Sequence, residues 1–245
     1  MKKNQLAALF GMVCFLATTP AWAKPAKGVD ETQIMLEAYN LATGKPVYSG
    51  KRKITITDGR LEITSEYTGP EGKVIHNDQT AAQADSLTLI SFNDTDHRIG
   101  RKVDIRQSDG KVAITYQDAA GEKVKKETLD GASDQSIGIL LGHLIEKNWV
   151  RLNQGGVVKL NLIVADRLGT VGFQIKKAGE TRIGEVKAND FQVEPSSWLI
   201  RKLVDPLHFV MAQDSHRMVE FRGRTTIPDN KGDPLPVRLV YKYEK

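Results

Sequence analysis

The chain nearly lacks cysteine, has no closely spaced histidine pair and carries no strong excess of one charge. Its 245 residues include one cysteine, Cys14, which excludes an internal disulfide framework. His76, His97, His143, His208 and His216 form no His-Glu-x-x-His helix or other near ligand pair. Each reads as an isolated surface or hydrogen-bonded histidine, so no metal is expected. Gly121, Gly131, Gly155 and Gly156 stand in turns rather than in a phosphate-cradling loop, so no cofactor is expected. No Gly-x-Ser-x-Gly elbow surrounds Ser196 or Ser197. A triad of Ser197, His208 and Asp205, assembled across the fold, is the weakest of the chemical readings. With 35 basic against 30 acidic residues, the net charge is +5, too modest for a nucleic-acid partner. At 40% hydrophobic and 27% charged, the composition excludes wholesale disorder and a polytopic membrane protein.

What is present begins with an export pattern. Lys2 and Lys3 precede an apolar run at 6–17, which is too short for a membrane span. Pro20 and Ala21-Trp22-Ala23 follow, giving a helix breaker and a small-x-small cleavage site. The pattern predicts a signal peptide, 1–23, cut after Ala23, and a periplasmic protein. Cys14 sits inside the apolar run, and Gly11-Met12-Val13 before it does not suit lipoprotein processing. Cleavage therefore removes the only cysteine and excludes thiol catalysis. It also removes two lysines and no acid, so the net charge falls from +5 to +3. No transmembrane segment is expected in the remaining chain. Lys51-Arg52-Lys53 and the lysines at 123–126 read as solvated strand faces or a lysine-protected edge.

The remainder reads as a flexible leader, 24–33, and one β-rich domain, 34–245. Ile34, Leu36 and Ala38 alternate with polar or flexible neighbours and mark a first strand. Asp58-Gly59 separates alternating runs at 53–57 and 61–64, and Asp109-Gly110 separates runs at 101–106 and 111–116. Both predict tight hairpins. Residues 134–149 switch to helical spacing, with Ile137, Leu140, Leu141, Leu144 and Ile145 on one stripe. Ser133 or Asp134 is the expected cap. A run at 157–164 is apolar on both faces and predicts a central strand. A short helix is expected at 196–204, capped by Ser196 or Ser197 and stopped by Asp205-Pro206. Shorter strands are expected at 181–194, then strands at 207–212, 217–226 and 236–243. The fold class is mainly β: a strongly curved antiparallel sheet or partly open barrel, with one main and one short helix.

Several segments resemble an uncharacterised family of exported proteobacterial proteins. They are Asn148-Trp149 to Gly155, Glu194-Pro195-Ser196-Ser197-Trp198-Leu199, Asp205-Pro206-Leu207, Arg222-Gly223 to Ile227-Pro228-Asp229, and Val237 to Tyr243. The resemblance covers roughly the C-terminal half. It implies a β-rich periplasmic domain and brings no catalytic residues. The layout also looks like curved-sheet lipoprotein carriers of the bacterial envelope, in which a helix plugs an apolar concavity.

Two functions are therefore expected ahead of any enzyme. One is a carrier of an apolar ligand, a lipid or acyl chain, lined by Leu140, Leu144, Trp149, Trp198 and Phe209. The alternative is an envelope assembly or interaction protein with a protein partner and no small ligand. Asn93-Asp94-Thr95-Asp96-His97 begins like a calcium loop but lacks the glycine and closing glutamate, and reads as an inter-strand loop.

Overall fold

A computed structural model describes residues 30–229 and 232–244. The expected signal peptide, its expected cleavage site and most of the expected leader lie outside these residues. Residues 30–33, counted with the leader above, already belong to the first strand, β1 (Asp30–Asn40), where Asp30 pairs with Ile56 and Gln33 with Lys53.

The two Asp-Gly hairpins form as expected. Asp58 and Gly59 take φ of 50° and 77°, and Asp109 and Gly110 take 50° and 70°. These left-handed values give the twist a two-residue hairpin needs. The first turn joins β2 (Pro46–Thr57) to β3 (Arg60–Thr68); the second joins β6 (Arg101–Ser108) to β7 (Lys111–Gln117). Between them lie β4 (Val74–Gln83) and β5 (Leu89–Asp96), and β8 (Lys125–Asp130) follows. The chain then crosses to β9 (Gln135–Ser136) and returns through β10 (Val158–Val164), β11 (Gly169–Ile183), β12 (Val186–Pro195), β13 (Leu207–Ala212), β14 (Met218–Arg224) and β15 (Pro236–Tyr243).

All fifteen form one curved, unclosed sheet in the order 8-7-6-5-4-3-2-1-15-14-13-12-11-10-9. Every pairing is antiparallel except β9 with β10. The meander runs from β1 at the middle to one edge, crosses to the other edge in four residues, and meanders back to β1. So short a crossing requires the two edges to lie near each other, which curls the sheet. The mainly β, curved antiparallel class read from the sequence is the observed one.

Several boundaries differ from the sequence reading. The 134–149 segment is not one helix. It opens with β9 and a 3-10 turn, Gly138–Leu140, followed by α1 (Leu141–Lys147) and α2 (Trp149–Asn153). Asp134 does not cap a helix. It accepts the Asn161 side-chain amide at 2.8 Å and its carbonyl takes the Asn161 backbone N–H at 2.9 Å, so the segment starts as sheet. Asn148, at φ −102° and ψ 18°, donates its amide to Leu144 O at 2.8 Å and separates the two helices. The short helix near 196–204 is one turn, α3 (Trp198–Arg201), with no side-chain cap. The strand at 158–164 is next to the edge, not central. Its two-sided apolarity has another cause: Leu160 and Leu162 join one core cluster while Ile163 joins the other. Residues 181–194 belong to one long hairpin, β11–β12. The 93–97 segment is no loop, since Asn93 to Asp96 complete β5.

The core has two clusters. One is built on β10–β15, β1 and the start of β2, with Leu36, Ile175, Phe191 and Val237 fully buried. The other lies against β3–β7, with Leu61, Ile105, Val112 and Ile114. The helical segment joins them: Leu140 packs in the second, Leu141 and Ile145 in the first, and Leu144 touches both.

Candidate functional site

The residues expected to line a ligand pocket are largely consumed by this packing. Leu140 is fully buried, and Phe209 packs edge-on against Phe221 at 5.1 Å. Trp149 stacks on His216 at 4.0 Å and lies 5.3 Å from Phe191. With Leu144 they sit in the two clusters between the helical segment and the sheet. Trp198 is not brought to them. It stands 64% exposed on α3, with the Lys202 ammonium 4.8 Å over its ring. Nor do Ser197, Asp205 and His208 form a triad: His208 Nδ1 faces Asp190 at 3.0 and 3.1 Å, and Asp205 is exposed.

Between the two apolar clusters lies a band of buried charge that the sequence reading missed. Strand register creates it. Arg52 on β2 pairs with Ser65 on β3, Ser65 with Asp78 on β4, and Asp78 with Asp94 on β5. The adjacent inward row runs Gly50, Tyr67, His76, Asp96, Arg101. Gly50 is required there, because a Cβ would stand 2.7 Å from Tyr67 Cδ1. The period-two spacing that buries Ile63 and Leu61 thus buries His76, Asp78, Thr80, Asp94 and Asp96.

His76 has Nε2 2.9 Å from Asp94 Oδ2 and Nδ1 3.9 Å from Asp96 Oδ2. These are ion-pair distances without aligned hydrogen bonds, since both His76 nitrogens and both Asp94 oxygens lack a well-directed partner. Burial alone disfavours the imidazolium, but Asp94 and Asp96 outweigh it and raise the His76 pKa to about 9. Burial likewise opposes ionisation of Asp96. His76 and Arg98 prevail there and hold its carboxyl well below the usual range. At Asp78 burial prevails over Arg52 and His76, and the pKa is raised. Arg52 donates to Ser65 Oγ at 3.0 Å and Tyr67 OH at 2.8 Å.

This band works as a clasp. Arg98 Nη2 contacts Asp96 at 2.5 Å and donates to Pro228 O at 2.9 Å, while Arg101 donates to Thr226 O. Tyr48 OH meets Thr225 Oγ1 at 3.3 Å. The segment after β14 is thereby tied to β2, β5 and β6, so the N- and C-terminal halves are fastened across the interior. No group of three His, Cys, Asp or Glu among the described residues is arranged to hold a metal ion.

The outer face differs. Lys51 and Lys53 project outward there while Arg52 turns in, and an open groove of about 650 Å³ crosses β1–β4 between Lys51, Lys53, Glu66, Asn77, Gln79 and His97. Lys53 is paired with Glu31 at 2.7 Å and His97 Nε2 with Asn77 Oδ1 at 2.6 Å. On β12–β15 a ladder of charge runs along the outer face. Asp190 meets His208 and Arg222 at 3.0 Å, and Glu220 meets Arg222 at 3.3 Å and Arg238 at 3.2 Å.

The sequence matches no family model and no curated protein. Solved structures similar to this chain at low identity include two proteins. One is a β-barrel-like protein of domain of unknown function DUF1849 from Brucella abortus, at 11% identity and a TM-score of 0.45, covering 88% of this chain and 95% of that one. The other is a DUF1329 family protein from Desulfovibrio piger, at 9% identity and a TM-score of 0.25, covering 90% of this chain and 85% of that one. The chain's architecture rests on its own strand pairing. No helix among the described residues is long and apolar enough to cross a membrane.

Proposed function

We propose that the chain is exported to the periplasm by residues 1–23 and acts there through its outer surface, as an envelope assembly or interaction protein without small-molecule cargo. One observation carries this reading. The space beneath the helical segment is filled by the chain's own side chains: Leu140, Leu141, Ile145, Leu152 and Phe191 are each at most 1% exposed. A carrier needs that space for its ligand. The reading assigns no catalytic role to any residue.

Delipidated mature protein, residues 24–245, incubated with labelled fatty acid and phospholipid tests it. No saturable uptake is expected. Uptake of about one lipid per chain with quenching of Trp149 would sink this reading in favour of the carrier. Displacing the helical segment would also break its polar ties to the rest of the chain, Lys147 to Asp85 O at 2.7 Å and Asn189 to Asn153 at 2.8 Å. Export is tested by expressing the full chain in a Gram-negative host, where periplasmic protein beginning at Lys24 is expected.

A further inference from the structure

We infer that the turn at 197–204 docks the chain onto an anionic lipid bilayer surface. This goes beyond the proposed function and stands on different residues. Within six positions the turn carries Trp198, Leu199 and Leu203, at 64%, 57% and 76% exposure. The other exposed large apolar residues among those described are dispersed: Leu41, Ile56, Val74, Val124, Val150 and Val186. A concentrated apolar patch of this kind marks a contact surface.

The turn is presented firmly. Ser196 N–H bonds to Gly172 O at 2.8 Å, and Arg201 N–H to Ser197 O at 3.0 Å. Arg201 Nη1 also contacts Glu194 Oε1 at 3.0 Å, and Glu194 is held in turn by Lys176 at 2.8 Å. The three apolar side chains project from a braced base.

Size and charge select the occupant. The three residues expose on the order of 400 Å², about half of the roughly 800 Å² per partner that a stable protein interface uses. A protein partner would need further apolar surface beside the turn. The neighbouring outer face carries the ion-paired Asp190, His208 and Arg222 instead. A bilayer needs no such continuation. Residues 196–204 contain Arg201 and Lys202 and no acid, and the nearest acid in sequence after the turn is Asp205. Arg201 is engaged by Glu194, which leaves exposed Lys202 to meet phosphates. A tryptophan with two leucines to enter the headgroup boundary beside a lysine is the composition of an interfacial anchor.

The mature chain reports on this directly, because cleavage would leave Trp149, half-buried against Phe191 and His216, and Trp198 as its tryptophans. In a Trp149→Phe variant of residues 24–245, Trp198 emission should shift to the blue with phosphatidylglycerol–phosphatidylethanolamine vesicles and not with phosphatidylcholine vesicles. The protein should co-sediment with the former. Leu199→Ser with Leu203→Ser should weaken binding roughly tenfold or more, and Lys202→Glu about fivefold or more. All three changes lie on the exposed turn, and unchanged near-ultraviolet circular dichroism in the Trp149-containing protein controls for folding. No shift and no co-sedimentation overturns the inference, as does equal binding to both vesicle types. Self-association that buries Trp198 without vesicles also overturns it, assigning the patch to a second copy. Lipid uptake into the interior would defeat the cargo-free reading while leaving this result standing.

Discussion

Strands β2–β6 and strands β12–β15 belong to one sheet but place their charge on opposite faces. The first set turns Arg52, His76, Asp78, Asp94 and Asp96 inward. The second turns Phe191, Phe209 and Phe221 inward, in mutual register with Leu239, and carries Asp190, His208, Glu220 and Arg222 on its outer face. The energetic meaning differs sharply. An ion pair on the outside trades water for a partner at little gain. A charge inside has given up its water and depends on the partners that remain. The inner band therefore fixes which strands meet and where the segment after β14 lies, whereas in the outer ladder Glu220 alone is buried and the solvent-touching group of Asp190, His208 and Arg222 should contribute little to stability.

The largest expected effect comes from breaking the inner band at one point. Asp96 serves His76 and Arg98 together, and Arg98 in turn holds Pro228 O. Asp96→Ala should lower unfolding stability by roughly 3–5 kcal/mol, the range for removing one partner of a buried pair, measured by urea denaturation. A loss under about 1 kcal/mol would show that the band is not the fastening described above. Hydrogen exchange should rise first around 225–229.

Next is the pH dependence of the same half. The His76 pKa is raised from 6.5 to about 9, so its contribution is fully present below about pH 6.5 and is lost as pH rises through 9. That loss is on the order of 3 kcal/mol. Asp96, depressed in the folded state, contributes stability above its unfolded value of 3.8 and loses it as the pH falls. Asp78, raised by burial, acts in the opposite sense to Asp96: it costs stability as the pH rises from its unfolded value of 3.8 through its folded value. Stability measured from pH 5 to 10 should fall along the alkaline limb, and His76→Gln should flatten it. A flat wild-type profile would break the assignment of charge to His76.

Packing in the inner row gives a smaller effect. Gly50→Ala places a methyl 2.7 Å from Tyr67 Cδ1, and Tyr67 is pinned by Arg52 and by Tyr48 edge-on at 5.7 Å. A cost of about 1–3 kcal/mol is expected in thermal or urea unfolding. A neutral substitution would mean that the Tyr67 ring can move, and that the inner row is looser than its register implies.

Within the N-terminal strands, the parts differ in how far the sequence reveals them. The Asp-Gly hairpins and the alternation of Val103 with Ile105 declare β6 and β7 without ambiguity, because turn chemistry and periodicity are local. The inner band uses the same periodicity with polar residues. His76-x-Asp78-x-Thr80 and Asp94-x-Asp96 read as wet faces or a loop until register sets them opposite one another. Only the pairing of β4 with β5, a tertiary fact, makes them interior. The segment at 134–149 misleads for a related reason. Its apolar spacing serves two clusters at once, so an interrupted path through β9, a 3-10 turn and two short helices satisfies the pattern as well as one helix would. The candidate lining residues are all apolar in sequence, and composition alone does not separate Leu140, Leu144, Trp149 and Phe209, which pack in the core, from Trp198, which does not.

The smallest expected effect is the sharpest check on the comparison. Asp190→Ala removes the shared partner of His208 and Arg222, geometrically as rich a site as Asp96. All three of its members keep contact with solvent, with side-chain exposures of 17%, 30% and 36%. Water can replace the lost carboxylate, so the cost should be about 0–1 kcal/mol and should shrink further at high salt. The cost of Asp96→Ala should persist when salt is raised, because mobile ions do not reach a buried charge. If the two variants lose equal stability with equal salt dependence, the face on which the sheet places its charge is not what decides the energetics.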